Sequence, residues 1–178
     1  MSCPLTLSAS KPGCATPSGV DSIYLIDRSA RQAAAVTISV DAGVMTFTGT
    51  NAPAFHIIPL FNTTNITNPI TSEATSNAFK FDRTLEFKID NYSASTVVLL
   101  ENVIKGRTEV MIKWVNGLYT YMGEQRGLSV TGGDAGTAGL NLNDPKGSTL
   151  TLSEEATSPM NTVDFTSFSA AFDITEPA

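Results

Sequence analysis

Ala78-Phe-Lys-Phe-Asp-Arg-Thr-Leu-Glu-Phe-Lys-Ile-Asp90 is the stretch on which the reading of this chain turns. Phe79, Phe81, Leu85, Phe87 and Ile89 take the odd positions, and only Arg83 breaks that series. The even positions from Lys80 to Asp90 are all polar or charged. A period of two means a strand with one buried face and one wet face. At the usual rise per residue it runs about 35 Å, roughly twice an ordinary strand. So long a strand argues for architecture before chemistry, and for a function that lies in surfaces.

Working outward, 93–106 follows at once and carries Val97, Leu100, Val103 and Ile104 on one helical face. Ser93 or Ser95 can cap its start and Gly106 can close its end. Glu109 to Trp114 and Leu118 to Met122 then read as a hairpin, with Asn116-Gly117 as a type I′ turn. Gly123 to Val130 continues the meander, 132–147 is a Gly- and Asn-rich loop, and Thr149 to Glu154 is another strand. Upstream, Ser22 to Asp27 is a short strand. Ala34 to Val40 and Val44 to Gly49 form a hairpin about Asp41-Ala-Gly43. Phe55 to Phe61 is a strand that Pro59 confines to an edge or bulge.

Residues 62–76 hold Asn, Thr and Pro with little apolar material, a long loop of the kind that carries function. Residues 1–20 read as an irregular arm, and 156–178 as a tail in which Val163, Phe165, Phe168 and Phe172 dock. Both segments are expected to pack on neighbouring subunits. The expectation is one domain over 1–178, mainly β: an antiparallel sandwich or barrel with one flanking α-helix.

Composition fits this. The chain has 178 residues, is 42% hydrophobic and only 16% charged, and carries a net charge of −6. An acidic chain is a poor clamp for phosphate backbones, which needs clustered Lys and Arg. It suits a surface that nucleic acid must pass without sticking. Met1-Ser-Cys-Pro has no basic or apolar leader character, and no apolar run approaches a membrane span of about 18 residues. The sequons at Asn62, Asn65 and Asn91 therefore read as Thr-rich loops. Cys3 and Cys14 are read either as two thiols or as a short-loop disulfide, with thiols favoured for a protein made in a reducing cytoplasm.

Catalytic parts are scarce. His56 is the one histidine and lies in the apolar run Phe55 to Leu60, so a half-buried strand position outweighs a triad role. The segment 132–139 lacks the Gly-Lys-Ser/Thr of a phosphate loop. The stretch 141–147 has Leu152 where an EF-hand needs its bidentate Glu. Glu154, Glu155 and Asp41 read as a solvated face. Trp114, Tyr119 and Tyr121 alternate across the Asn-Gly hairpin and could stack sugars, but packing is the commoner use. No enzyme, metal or cofactor is expected.

A set of turns and strand edges carries a resemblance: Asn116-Gly-Leu-Tyr, Met122-Gly123, Gly127-Leu-Ser-Val-Thr-Gly132, Ala138-Gly-Leu-Asn-Leu-Asn-Asp-Pro-Lys-Gly147, Leu150-Thr-Leu152 and Glu154-Glu155. Cys3, Cys14, Ser18-Gly-Val20 and Ile23-Tyr-Leu-Ile-Asp27 belong to the same pattern. Together they resemble tail-tube-like virion proteins of tailed phages and prophages of Bacteroidetes-type bacteria. Pro145 departs from the more open Asp-x-x-Gly turn expected there.

The resemblance implies a ring-forming subunit in the virion tail, made in the bacterial cytoplasm. It implies stacked rings in which strands of neighbouring copies pool into a DNA-conducting barrel. Its partners would be other copies, further tail or connector proteins, and DNA in transit. A head–tail connector or tail terminator ring, and a capsid decoration or carbohydrate-binding module, are the alternatives. The long strand and the long loop supply the subunit-interface candidates Asn62, Thr64, Ile66, Phe79, Phe81 and Phe87. The wet face supplies the lumen candidates Asp82, Glu86 and Asp90.

Overall fold

The computed structural model describes residues 19–59, 63–73, 78–89, 94–137 and 147–175. In chain order the elements are β1 (Val20–Asp27), α1 (Arg28–Ala33), β2 (Thr37–Asp41), β3 (Val44–Thr48), β4 (Ala52–Ile57), β5 (Asn65–Thr67), β6 (Ile70–Glu73) and β7 (Ala78–Ile89). There follow α2 (Ala94–Lys105), β8 (Thr108–Trp114), β9 (Tyr119–Met122), β10 (Ser129–Thr137), β11 (Gly147–Ala156), β12 (Asn161–Val163), α3 (Phe165–Ala171) and β13 (Phe172–Thr175).

The protein is mainly β, and its strands form two sheets, neither of which closes into a barrel. The larger has the order β13-β4-β1-β8-β9-β12-β3-β2, and the smaller runs β10-β11-β7-β5 with β6 also paired to β7. Pairings are antiparallel except β12 with β3 and β13 with β4, which run parallel.

Strand parity sets the layers. Ile23 and Leu25 of β1 face one core, shared with Leu85, Phe87 and Ile89 of β7, Leu150 and Leu152 of β11, and Leu100 and Val103 of α2. Tyr24 and Ile26 point the other way, into a second core with Phe47, Tyr121, Phe168 and Phe172. The larger sheet is therefore covered on both faces, by the smaller sheet and by α3. That explains why β8 is buried at five consecutive residues and shows no alternation.

Of the strand expected over 78–90, β7 covers Ala78–Ile89, twelve residues, with Arg83, Leu85, Phe87 and Ile89 buried. Several expectations are corrected. The helix expected over 93–106 is α2 (Ala94–Lys105), and the described residues add two short ones, α1 and α3. Of the expected apolar face of α2, Leu100 and Val103 are buried but Ile104 is exposed. The loop expected at 62–76 contains β5 and β6, which run one after the other along the same edge of β7. The Gly-rich segment from 132 starts as part of β10, where glycines at 132 and 133 pass close to β11; a Cβ on Gly133 would lie 2.4 Å from the Thr149 carbonyl oxygen.

Of the tail after Ala156, Val163, Phe168 and Phe172 pack in the chain's own core. Phe168 and Phe172 are buried, and α3 is capped by Asp164, whose carboxylate accepts from the Thr166 and Ser167 N–H groups.

The two hairpin turns exchange types. Ala42 (φ 49°) and Gly43 (φ 80°) are both left-handed, which gives the two-residue type I′ turn to β2–β3. At Asn116-Gly117 only Gly117 is left-handed (φ 83°). Its N–H donates to the Trp114 carbonyl (2.9 Å), and the Trp114 N–H donates to that of Leu118 (2.8 Å). This is a type I turn followed by a left-handed glycine, in a three-residue loop.

Candidate functional site

Three surfaces compete for a functional role, and all three are organised by β7. The first is its wet face. Lys80, Asp82, Thr84, Glu86 and Lys88 stand opposite the outward residues of β11 in an unbroken antiparallel register, Asp82 to Glu155 and Thr84 to Ser153. Lys80 lies 2.9 Å from Glu155 and 3.4 Å from Asp82, and these two carboxylates raise its pKa through the hydrogen bond and their charge. Of the lumen candidates, Asp82 is partly exposed and also accepts from the Thr71 hydroxyl (2.9 Å), while Glu86 is exposed. The structure puts both on this one face. Asp90 lies outside the described residues.

The second surface is the opposite, apolar face of β7. Towards Ile89 it is sealed in the core, but towards Ala78 it runs out from under its cover. Phe79 is 63% exposed, and Ile70, which pairs with Phe81 on β6, is 65% exposed. Phe81 is half-buried. The other interface candidates divide. Phe87 is 0% exposed inside its own core and cannot meet a neighbour, a correction that follows from its place opposite Leu150 in mid-sheet. Ile66 is half-buried against the same core, and Thr64 is half-buried before β5. Asn62 lies outside the described residues.

The third surface was not expected from sequence: a cleft of about 380 Å³ where the smaller sheet meets the Arg107 and Arg126 turns. Its floor is Arg83, the residue that breaks the apolar parity of β7. Arg83 Nη1 donates to Glu154 Oε1 (2.7 Å) and Glu124 Oε2 (2.9 Å), and Nη2 donates to Glu124 Oε1 (3.1 Å) and the Ser158 carbonyl. Glu154 Oε1 also accepts from the Gly123 N–H (2.8 Å). Glu154 Oε2 and Arg83 Nε are buried without a hydrogen-bond partner. Burial pushes the Glu154 carboxyl up from its ordinary value, against the pull of the Gly123 N–H and of Arg83.

Glu154 is thus no part of a solvated face. Two opposite charges at apolar parity, Arg83 in β7 and Glu154 in β11, were the sequence signal for this pair.

A separate buried network sits in the larger sheet. Glu109 accepts from Arg31 Nε (2.5 Å) and Nη2 (2.9 Å), from Arg28 Nη1 (3.0 Å) and from the Tyr121 hydroxyl (2.9 Å). Burial, followed by the adjacent carboxylate, pushes the Tyr121 phenol well above its ordinary value. Tyr121 is therefore a core residue. Tyr119 stacks on Phe165 at 4.6 Å, and the half-buried Trp114 donates its indole N–H to Thr120 (2.9 Å). These three aromatics form no exposed sugar-stacking face. His56 stacks on Tyr24 at 4.6 Å, half-buried in β4 as its apolar run suggested.

No protein family matches this chain, and no curated protein and no solved structure matches it. The class that the geometry defines is a two-sheet β-sandwich with flanking helices, both of whose sheets end in strands paired on one side only.

Proposed function

We propose that this chain is a structural, ring-forming virion protein, a tail tube subunit whose rings stack into a conduit for DNA. One observation carries the reading. The apolar face of β7 continues past its own core, leaving Phe79 and Ile70 more than 60% exposed on the β6–β7 strand pair. Adjacent large apolar side chains on a rigid strand pair are the mark of a surface that another chain covers.

Two further features support it. Among the described residues the larger sheet ends at β2 and β13, each paired on one side, so neighbouring copies can extend it. A head-to-tail contact of this kind closes into a ring when the rotation allows. The wet face of β7 carries Asp82, Glu86 and, across the ladder, Glu155, with Lys80 held between Asp82 and Glu155. Such a face can line a lumen without clamping phosphate.

Electron microscopy of the purified protein in negative stain tests the reading, with rings or tubes expected. Phe79→Ser should abolish them while leaving the unfolding midpoint nearly unchanged, since an exposed substitution shifts stability by no more than about 0.5 kcal/mol. A monodisperse monomer at high concentration across the salt range would overturn the proposal. So would tight binding of duplex DNA at physiological salt.

A further inference from the structure

The chain holds five arginines, and three of them, Arg83, Arg107 and Arg126, line the one cleft described above. Arg83 is committed to Glu124 and Glu154. Among the described residues, Arg107 donates to the Ser129 hydroxyl, and no ion pair or hydrogen bond engages Arg126. The acids at the rim share their cations: Asp82 and Glu155 both pair with Lys80, and Glu154 shares Arg83 with Glu124. The cleft therefore presents two exposed guanidiniums, neither in an ion pair among the described residues, beside the hydroxyls of Ser153 and Thr84. Planar guanidinium donors recognise oxyanions with two aligned hydrogen bonds. The flanking carboxylates would repel a polyphosphate track, so the geometry favours one compact carboxylate.

A matching carboxylate lies on the same chain. Asp41 sits at the type I′ tip of the β2–β3 hairpin, exposed and without an ion pair, between Val40 (49% exposed) and Val44 (41%). The tip is rigid: the Gly43 carbonyl accepts from both the N–H (3.1 Å) and the hydroxyl (2.9 Å) of Thr162. A pre-ordered projection loses little entropy on docking. Glu86 and Asp173 are also exposed, but both lie along strands, whereas Asp41 stands on a projection that can enter a concavity.

We propose that the Arg107–Arg126 cleft receives the Asp41 hairpin tip of a second copy of this chain. Tip and cleft are different surfaces, so the contact is head-to-tail and propagates from copy to copy. It rests on the assembly reading above and assigns it a specific contact.

Charge exchange tests it, because Asp41, Arg107 and Arg126 are all exposed and their substitution leaves the fold intact. Asp41→Lys should weaken self-association by tenfold or more in sedimentation velocity, as should Arg107→Glu combined with Arg126→Glu. An equimolar mixture of the two variant chains should associate again, since each then offers the other a complementary tip or cleft. If wild type assembles and either variant assembles equally well, or the mixture does not recover, the cleft assignment falls while the ring reading stands. If wild type stays monomeric, the ring reading falls. The cleft is then read by amide shifts at Arg107, Arg126 and Ser129 on titration with N-acetylaspartate amide. Saturable shifts that Arg126→Glu removes uphold the carboxylate site, and their absence overturns it.

Discussion

Glu109 and Glu154 are both buried carboxylates held by arginine, yet the two networks are built differently. Glu109 has two arginines and a tyrosine, and each of its oxygens accepts two hydrogen bonds. Glu154 shares one arginine with Glu124, and one of its oxygens accepts none. The first network carries a surplus of positive charge and the second a surplus of negative charge. The 123–127 turn joins them: Arg28 donates to the carbonyls of Gly123 (3.0 Å) and Gln125 (2.8 Å), while the Glu124 side chain holds Arg83. A buried arginine keeps its charge at any accessible pH, whereas a buried carboxylate can take up a proton. Burial raises the Glu154 carboxyl, so pH can act on that network through it.

The largest effect should follow Glu109→Gln. It leaves Arg31 buried and charged with half of its partner gone, and breaking a buried pair from one side costs about 3–5 kcal/mol. Urea unfolding followed by circular dichroism reads this directly. A loss below about 1 kcal/mol would mean that Arg28, which is partly exposed, and Arg31 find solvent without help from Glu109. Arg83→Met should cost about 3 kcal/mol at neutral pH, the lower end of the same range. Here the loss should shrink in acid, because Glu154, whose pKa burial already raises, can then take up a proton in place of the guanidinium's charge. An equal loss at pH 5 and pH 7 would erase the contrast between the networks.

Gly123→Ala strikes the shared turn. Gly123 has φ 96°, and a Cβ there would lie 2.8 Å from Leu128 Cδ1 and 3.0 Å from the Thr108 carbonyl oxygen. Left-handed strain in a non-glycine residue costs roughly 1–3 kcal/mol. Because the turn serves both networks, this variant and Arg83→Met should not be additive in a double-mutant cycle. Simple additivity would show the networks to be independent.

The two networks also differ in how far they could be read from sequence. In β7 and β11 the alternation is strict, so Arg83 and Glu154 stand out as charges at apolar positions, and their opposite signs point to a pair. The alternation also made β7 itself legible. Glu109 gives no such signal, because β8 is covered on both faces and has no parity to violate. Its cover on one face is α3, with Phe165 and Phe168, followed by Phe172 at the start of β13; the sequence shows these aromatics as docking residues but not the strand that they cover. Turn type was misplaced because Asn-Gly satisfies both a type I′ turn and a three-residue loop, and only strand register separates them. The cleft depends on Arg107 and Arg126, which lie far from β7 in sequence and meet it only through the sandwich.

The smallest and most diagnostic change is Glu154→Gln. The glutamine carbonyl can keep the Gly123 and Arg83 hydrogen bonds, and the charge that burial opposes is gone. Glu124 still balances Arg83, so no arginine is left alone. The sign of the pH effect follows from the raised pKa. In the unfolded chain this carboxyl titrates near its ordinary 4.5, and in the folded chain it titrates higher. The folded state then binds more protons between those two values, so the contribution of Glu154 to stability is fully present below about 4.5 and falls as pH rises through the folded value. Wild type should lose stability relative to Glu154→Gln across that window and hold a constant difference above it. Parallel stability curves for wild type and Glu154→Gln from pH 4 to pH 8 would mean that the unpartnered oxygen of Glu154 is stabilised as well as those of Glu109.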